Sequence, residues 1–112
     1  MKISMDDVFP LMASAISGLD ATEDERKDRA AYNFLADIRH FLCIRAGPGV
    51  VTQLQEFGLL LEYLLSNGDN DVHDLVQDSL EGLLECERRD SVARFFGPKT
   101  QELWTEVRKT VP

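Results

Sequence analysis

The chain has 112 residues, 20 of them acidic and 12 basic, with a formal net charge of −8 and 44% hydrophobic content. This length and apolar content suit a single domain over residues 1–112 with its own core, and exclude a disordered acidic tail. The charge disfavours direct nucleic-acid binding, because phosphates would be repelled.

No apolar run approaches the roughly 20 residues that span a bilayer. The opening Met1-Lys2-Ile3-Ser4-Met5 has no apolar signal core, so the expectation is a cytoplasmic protein that does not enter a membrane. Cys43 and Cys86 are then expected as reduced thiols, with Cys43 a small core residue.

Apolar residues recur with helical spacing through most of the chain. Ser4 and Asp7 form a capping box for a first turn, and Pro10 stands early in it or opens a short helix over 10–16. An apolar surface on this first segment could support a dimer. Thr22 with Glu25 is a second capping box, opening a long helix over 22–46. Its stripe is Ala31, Phe34, Leu35, Ile38, Phe41 and Leu42. Gly47-Pro48-Gly49 ends it.

A third helix over 52–67, capped by Thr52, carries Leu54, Phe57, Leu60, Leu61, Leu64 and Leu65. Asn67-Gly68 reads as a left-handed stop, and the short turn after it predicts an antiparallel neighbour over 71–86. Asp69 or Asn70 caps that neighbour, and Val72, Leu75, Val76, Leu80, Leu83 and Leu84 point inward. A short helix over 91–96 and a last one beginning at Pro98, with Leu103, Trp104 and Val107, complete the pattern. Strand signals are confined to Val50-Val51. The expected fold is all-α: a compact bundle of five to six helices, mostly antiparallel.

The charge is concentrated. Residues 1–68 hold 6 basic and 10 acidic side chains, residues 88–112 hold 6 and 3, and residues 69–87 hold 7 acids with no Lys or Arg. Asp71, Asp74, Asp78, Glu81 and Glu85 are spaced 3, 4, 3 and 4 apart, which places them within an arc of roughly 80° on a helix. Their four neighbouring like-charge pairs oppose the helix by about 0.2–0.5 kcal/mol each. No base is interleaved to relieve them. Such a row is either a solvated face or a docking surface for a basic partner, where opposed potentials speed encounter. Asp69 and Asp20 are candidate rim acids.

Other chemistries find less support. Asp69-Asn70-Asp71-Val72-His73-Asp74 resembles the start of a calcium loop, but its sixth place is not Gly and its twelfth is Leu80. His40, Cys43, His73 and Cys86 lack the paired spacing of a zinc site. Ser79 has no Gly-rich elbow, and no Gly-Lys-Ser/Thr follows Gly47-Pro48-Gly49. Exposed helix acids have no burial to tune them for acid–base work. No catalytic residue, metal or cofactor is therefore expected. Phe95, Phe96 and Trp104 read as core or edge packing, and the surrounding Arg88, Arg89, Arg94, Lys99 and Arg108 as balance for the acidic helix.

Leu80-Glu81-Gly82-Leu83-Leu84-Glu85, Phe95-Phe96-Gly97-Pro98-Lys99 and Glu102-Leu103-Trp104 are the most distinctive text. With its Gly-Pro-Lys-x-x-x-Leu-Trp ending, the stretch over about 50–108 resembles a group of small all-α bacterial domains of uncharacterised biochemistry. The chain as a whole also resembles the small acidic immunity proteins of contact-dependent and polymorphic toxin systems. That resemblance implies a non-enzymatic protein that binds and blocks a toxin domain, often a nuclease. Asp69, Asp71, Asp74, Asp78, Glu81 and Glu85 are the expected contacts. The alternative is a helical adaptor or regulatory protein with another basic partner.

Overall fold

Leu35, Ile38 and Leu42 from one predicted stripe meet Leu61, Leu64, Leu75 and Leu80 from two others in a single buried cluster. The computed structural model describes residues 2–4, 6–8, 11, 30–45 and 48–109. Besides helical residues 6–8, they include five α-helices: α1 (Ala30–Arg45), α2 (Val51–Asn67), α3 (Asn70–Leu83), α4 (Arg89–Ala93) and α5 (Pro98–Lys109). No strand forms among the described residues; a lone parallel bridge pairs Ile3 with Gly68. The all-α expectation holds. The Thr22–Glu25 capping box, Asp20 and most of the 10–16 segment lie outside the described residues.

Helix α3 is the centre of the bundle, packing against α1, α2 and α5, while α2 also packs against α5. Its inward face is Val72, Leu75, Val76, Ser79, Leu80 and Leu83, all buried. A face covered by three helices leaves one side of α3 for solvent.

The termini differ from expectation in instructive ways. Thr52 does not cap α2. It is an exposed residue inside the helix, which is entered through a 3-10 turn at Pro48–Val50 with no side-chain cap. Gly68 is not left-handed either, with φ −83° and ψ 158°. Its extended backbone serves the N-terminal segment: Ile3 N–H donates to Asn67 O at 2.7 Å, and Asp69 N–H donates to Ile3 O at 2.8 Å. Glycine is needed there for space, since a Cβ would crowd Val72 and the Leu64 carbonyl.

Asp69 caps α3 as expected, its carboxylate accepting from Val72 N–H at 3.0 Å. At the other end α3 stops at Leu83 rather than 86, as Leu84, Glu85 and Cys86 tighten into bonds to carbonyls three residues back. The short helix falls at Arg89–Ala93 rather than 91–96. Phe95 and Phe96 leave it to pack, with the Phe95 carbonyl lying where a Cβ on Gly58 would otherwise stand. Half of the Ser4–Asp7 box forms: the Asp7 carboxylate accepts from Ser4 N–H at 3.2 Å, but it also accepts from Ser4 Oγ at 3.1 Å, and Asp7 N–H donates to the Ser4 carbonyl instead of to that hydroxyl.

The Gly97-Pro98-Lys99 text has an architectural role. Pro98 opens α5, where its missing N–H costs nothing. The next two N–H groups, of Lys99 and Thr100, donate to the Glu62 carboxylate of α2 at 3.1 and 2.9 Å, and Thr100 Oγ adds a bond of 2.9 Å. A side chain at Gly97 would collide with that carboxylate. Glu62 is thus a cap supplied across the fold. Partial burial pushes its carboxyl up, but the N–H groups of Thr100 and Lys99, the Thr100 hydroxyl and the Lys99 charge together hold it below the ordinary 4.5.

Candidate functional site

The acidic row follows from how α3 is buried. Its apolar residues face three helices, so the residues at the intervening spacings must face water. Asp71, Asp74, Asp78, Glu81 and Glu85 are all exposed. Four of them stand on α3, and Glu85 continues the row from the turn beyond it.

Among the described residues, the one hydrogen bond to a carboxylate of the row comes from Gln77 Nε2, which donates to Glu81 Oε1 at 3.4 Å. Asp69 differs from the five. It is half-buried and occupied as the α3 cap, so it holds the start of the row in place. The same cap and first turn take up the text that resembles a calcium loop. Among the described residues, no group of three or more His, Cys, Asp or Glu side chains is arranged to hold a metal ion.

The row is not electrostatically uniform. Asp71 lies in the first turn of α3, where the helix dipole favours a negative charge, while Glu81 and Glu85 lie at the unfavourable end. The bases that answer this end come from elsewhere in the chain. Arg39 of α1 extends over Gly82, which has no side chain to block it, and its Nη1 donates to Ser79 O at 3.3 Å. Arg89 Nη1 donates to the Leu84 carbonyl at 3.0 Å. The row therefore has two bases beside its C-terminal end: Arg89, one of the bases expected to balance the helix, and Arg39, which was not among them.

Two of the C-terminal bases expected to balance the row, Arg94 and Arg108, stack on aromatic rings: they lie over Phe95 and Trp104, at 5.5 and 5.8 Å from the ring centroids. Phe96 and Trp104 meet edge to face at 6.1 Å, both buried, so this aromatic group is core as expected.

Next to Glu85 opens a cleft of about 490 Å³ whose lining includes Arg39, His40, Glu85, Glu87 and Arg88. Cys43 and Cys86 also line it, and they are not reduced thiols: they form a disulfide with a Cα–Cα distance of 6.0 Å. The pairing arises because α1 packs on α3, bringing the last turn of α1 against the turn after Leu83. Cys86 is buried and Cys43 is half-buried against the core.

Ser79, considered as a nucleophile, is buried. Its hydroxyl has no hydrogen-bond partner among the described residues. Arg39 and Glu62 stand outside every motif and stripe of the sequence. The usable signals were the glycines inside helices and at their starts, Gly58, Gly82 and Gly97, each marking a close approach by another part of the chain. No helix among the described residues is long and apolar enough to cross a membrane. No protein-family model matches the chain, and no curated protein and no solved structure is similar to it.

Proposed function

We propose that this chain is a non-enzymatic bacterial immunity protein. It binds a basic toxin domain, a nuclease in the first instance, through the acidic face of α3. The observation that carries this reading is the exposed row Asp71, Asp74, Asp78, Glu81 and Glu85, in a stretch of the chain that contains no Lys or Arg. A nuclease cleft that binds phosphates is lined by Lys and Arg. A rigid helix presenting carboxylates at one-turn intervals can occupy such a cleft and exclude the substrate.

The N-terminal part of the row carries most of the proposed contact. Asp71, Asp74 and Asp78 precede the end of α3 where Arg39 and Arg89 make their hydrogen bonds. Asp69 caps the helix and stands at the rim of the face.

The test is co-expression with the product of the adjacent gene in the source genome. The wild-type chain should restore growth to cells making that product, and the Asp71→Lys, Asp74→Lys, Asp78→Lys triple variant should not. Equal protection by a folded triple variant would reject the acidic face. A neighbouring product that is harmless on its own would favour the adaptor reading.

A further inference from the structure

The geometry points to the Cys43–Cys86 disulfide as a thiol-addressable latch: a bond that small-molecule thiols open and close in the folded protein through the cleft beside it. Both cysteines line this open cleft of about 490 Å³, so an attacking sulfur has a route that needs no unfolding. The two ends are unequal. Cys43 is half-buried, whereas Cys86 is 7% exposed, which makes Cys43 Sγ the sulfur for attack and Cys86 the leaving group. The charged and titratable neighbours in the cleft are Arg39, His40, Glu85, Glu87 and Arg88. The two guanidinium groups favour the negative charge that spreads over three sulfurs during exchange, and the two carboxylates oppose it.

The exchange balances as two steps. A thiolate attacks Cys43 Sγ and forms a new sulfur–sulfur bond; the Sγ–Sγ bond breaks, and its electron pair leaves on Cys86, which takes a proton from solvent. A second thiolate attacks the sulfur of the first thiol in that mixed disulfide and releases Cys43. The protein gains two electrons, and two small thiols become one small disulfide.

The position of the bond gives this exchange a consequence. It ties the last turn of α1 to the turn that follows α3 and carries Glu85. The same junction is held by Arg88 Nη1 donating to Ile44 O at 3.2 Å and by Arg39 Nη1 donating to Ser79 O at 3.3 Å. The buried cluster spans α1, α2, α3 and α5, and Leu35, Ile38 and Leu42 keep α1 in it whether or not the Cys43–Cys86 bond is made. Opening the latch therefore loosens the junction at the end of the acidic row and leaves the core assembled. The inference stands whatever the acidic face binds.

The experiment incubates the oxidised native full chain with glutathione in buffer without denaturant. Free thiols are alkylated and read by intact mass and peptide mapping, with far-ultraviolet circular dichroism and Trp104 fluorescence recorded alongside. The expected result is a two-thiol species with an unchanged helical signal and a lower melting temperature. The Cys86→Ser variant, which keeps Cys43, should form a mixed disulfide with oxidised glutathione about tenfold faster than the Cys43→Ser variant, which keeps Cys86. Thiols that appear only where Trp104 reports global unfolding would overturn the inference. So would equal reactivity of the two variants. If either variant fails to fold, the reduction kinetics of the wild-type chain decide alone.

Discussion

Removing the Glu62 carboxylate tests whether α5 is capped from α2. Glu62 accepts from Lys99 N–H at 3.1 Å, from Thr100 N–H at 2.9 Å and from Thr100 Oγ at 2.9 Å, and Thr100 is fully buried. Glu62→Ala removes an N-cap interaction, a change that costs about 0.5–2 kcal/mol. It also leaves the buried donors of Thr100 unpaired, at about 1–3 kcal/mol. The two figures describe overlapping losses, so the expected destabilisation is about 2 kcal/mol. For a chain of this size that lowers the melting temperature by about 8 °C.

The pH dependence follows in sign from the carboxyl being held below 4.5 in the folded protein. A group whose folded pKa is depressed stabilises the fold above its unfolded value, and that contribution is lost as pH falls through the folded value. Glu62→Gln mimics the protonated acid, so its deficit against wild type should be full at neutral pH and close as the solution is acidified below 4.5. The single Trp, Trp104, is buried in α5 and reports the unfolding transition in denaturant titrations of all three proteins. A Glu62→Ala variant as stable as wild type at neutral pH would refute the cross-fold cap. So would a Glu62→Gln deficit that stays constant on acidification.

Two further perturbations act on α3. Ser79 buries a hydroxyl with no partner among the described residues, so Ser79→Ala should raise stability by about 1 kcal/mol in chemical denaturation; destabilisation would show that the hydroxyl is satisfied in solution. Asp78→Asn relieves the like-charge contacts with Asp74 and Glu81, and should stabilise the isolated protein by about 0.4–1 kcal/mol at low salt. That gain should fade in concentrated salt, where exposed charges are screened; a gain that persists there would show that charge repulsion is not its source.

What was legible in the sequence was local. Spacings of three and four placed Leu54, Phe57, Leu61 and Leu64 on one stripe and Val72, Leu75, Val76 and Leu80 on another, because helix period is a property of neighbouring residues. Asp69 as a cap, Pro98 as a helix start and the exposure of the acidic row follow from the same short-range logic. The features that escaped are contacts between distant segments. Glu62 reaches Thr100 across 38 residues, Arg39 reaches Ser79 across 40, and Cys43 reaches Cys86 across 43. Pattern within one helix carries no information about which other helix will lie beside it. Gly68 shows the same limit, since Asn67-Gly68 signals a left-handed stop, yet pairing with Ile3 draws the glycine into an extended conformation.

The role proposed for the exposed carboxylates of α3 is to bind a basic toxin domain. Its most direct measurement is the association rate and affinity of the purified chain for the adjacent gene's product across a series of salt concentrations. Fast, salt-sensitive association is expected for the wild-type chain. In the Asp71→Lys, Asp74→Lys, Asp78→Lys variant association should slow by about tenfold or more, with the fold intact by circular dichroism. Unchanged rate and affinity in that variant would rule out the proposed role.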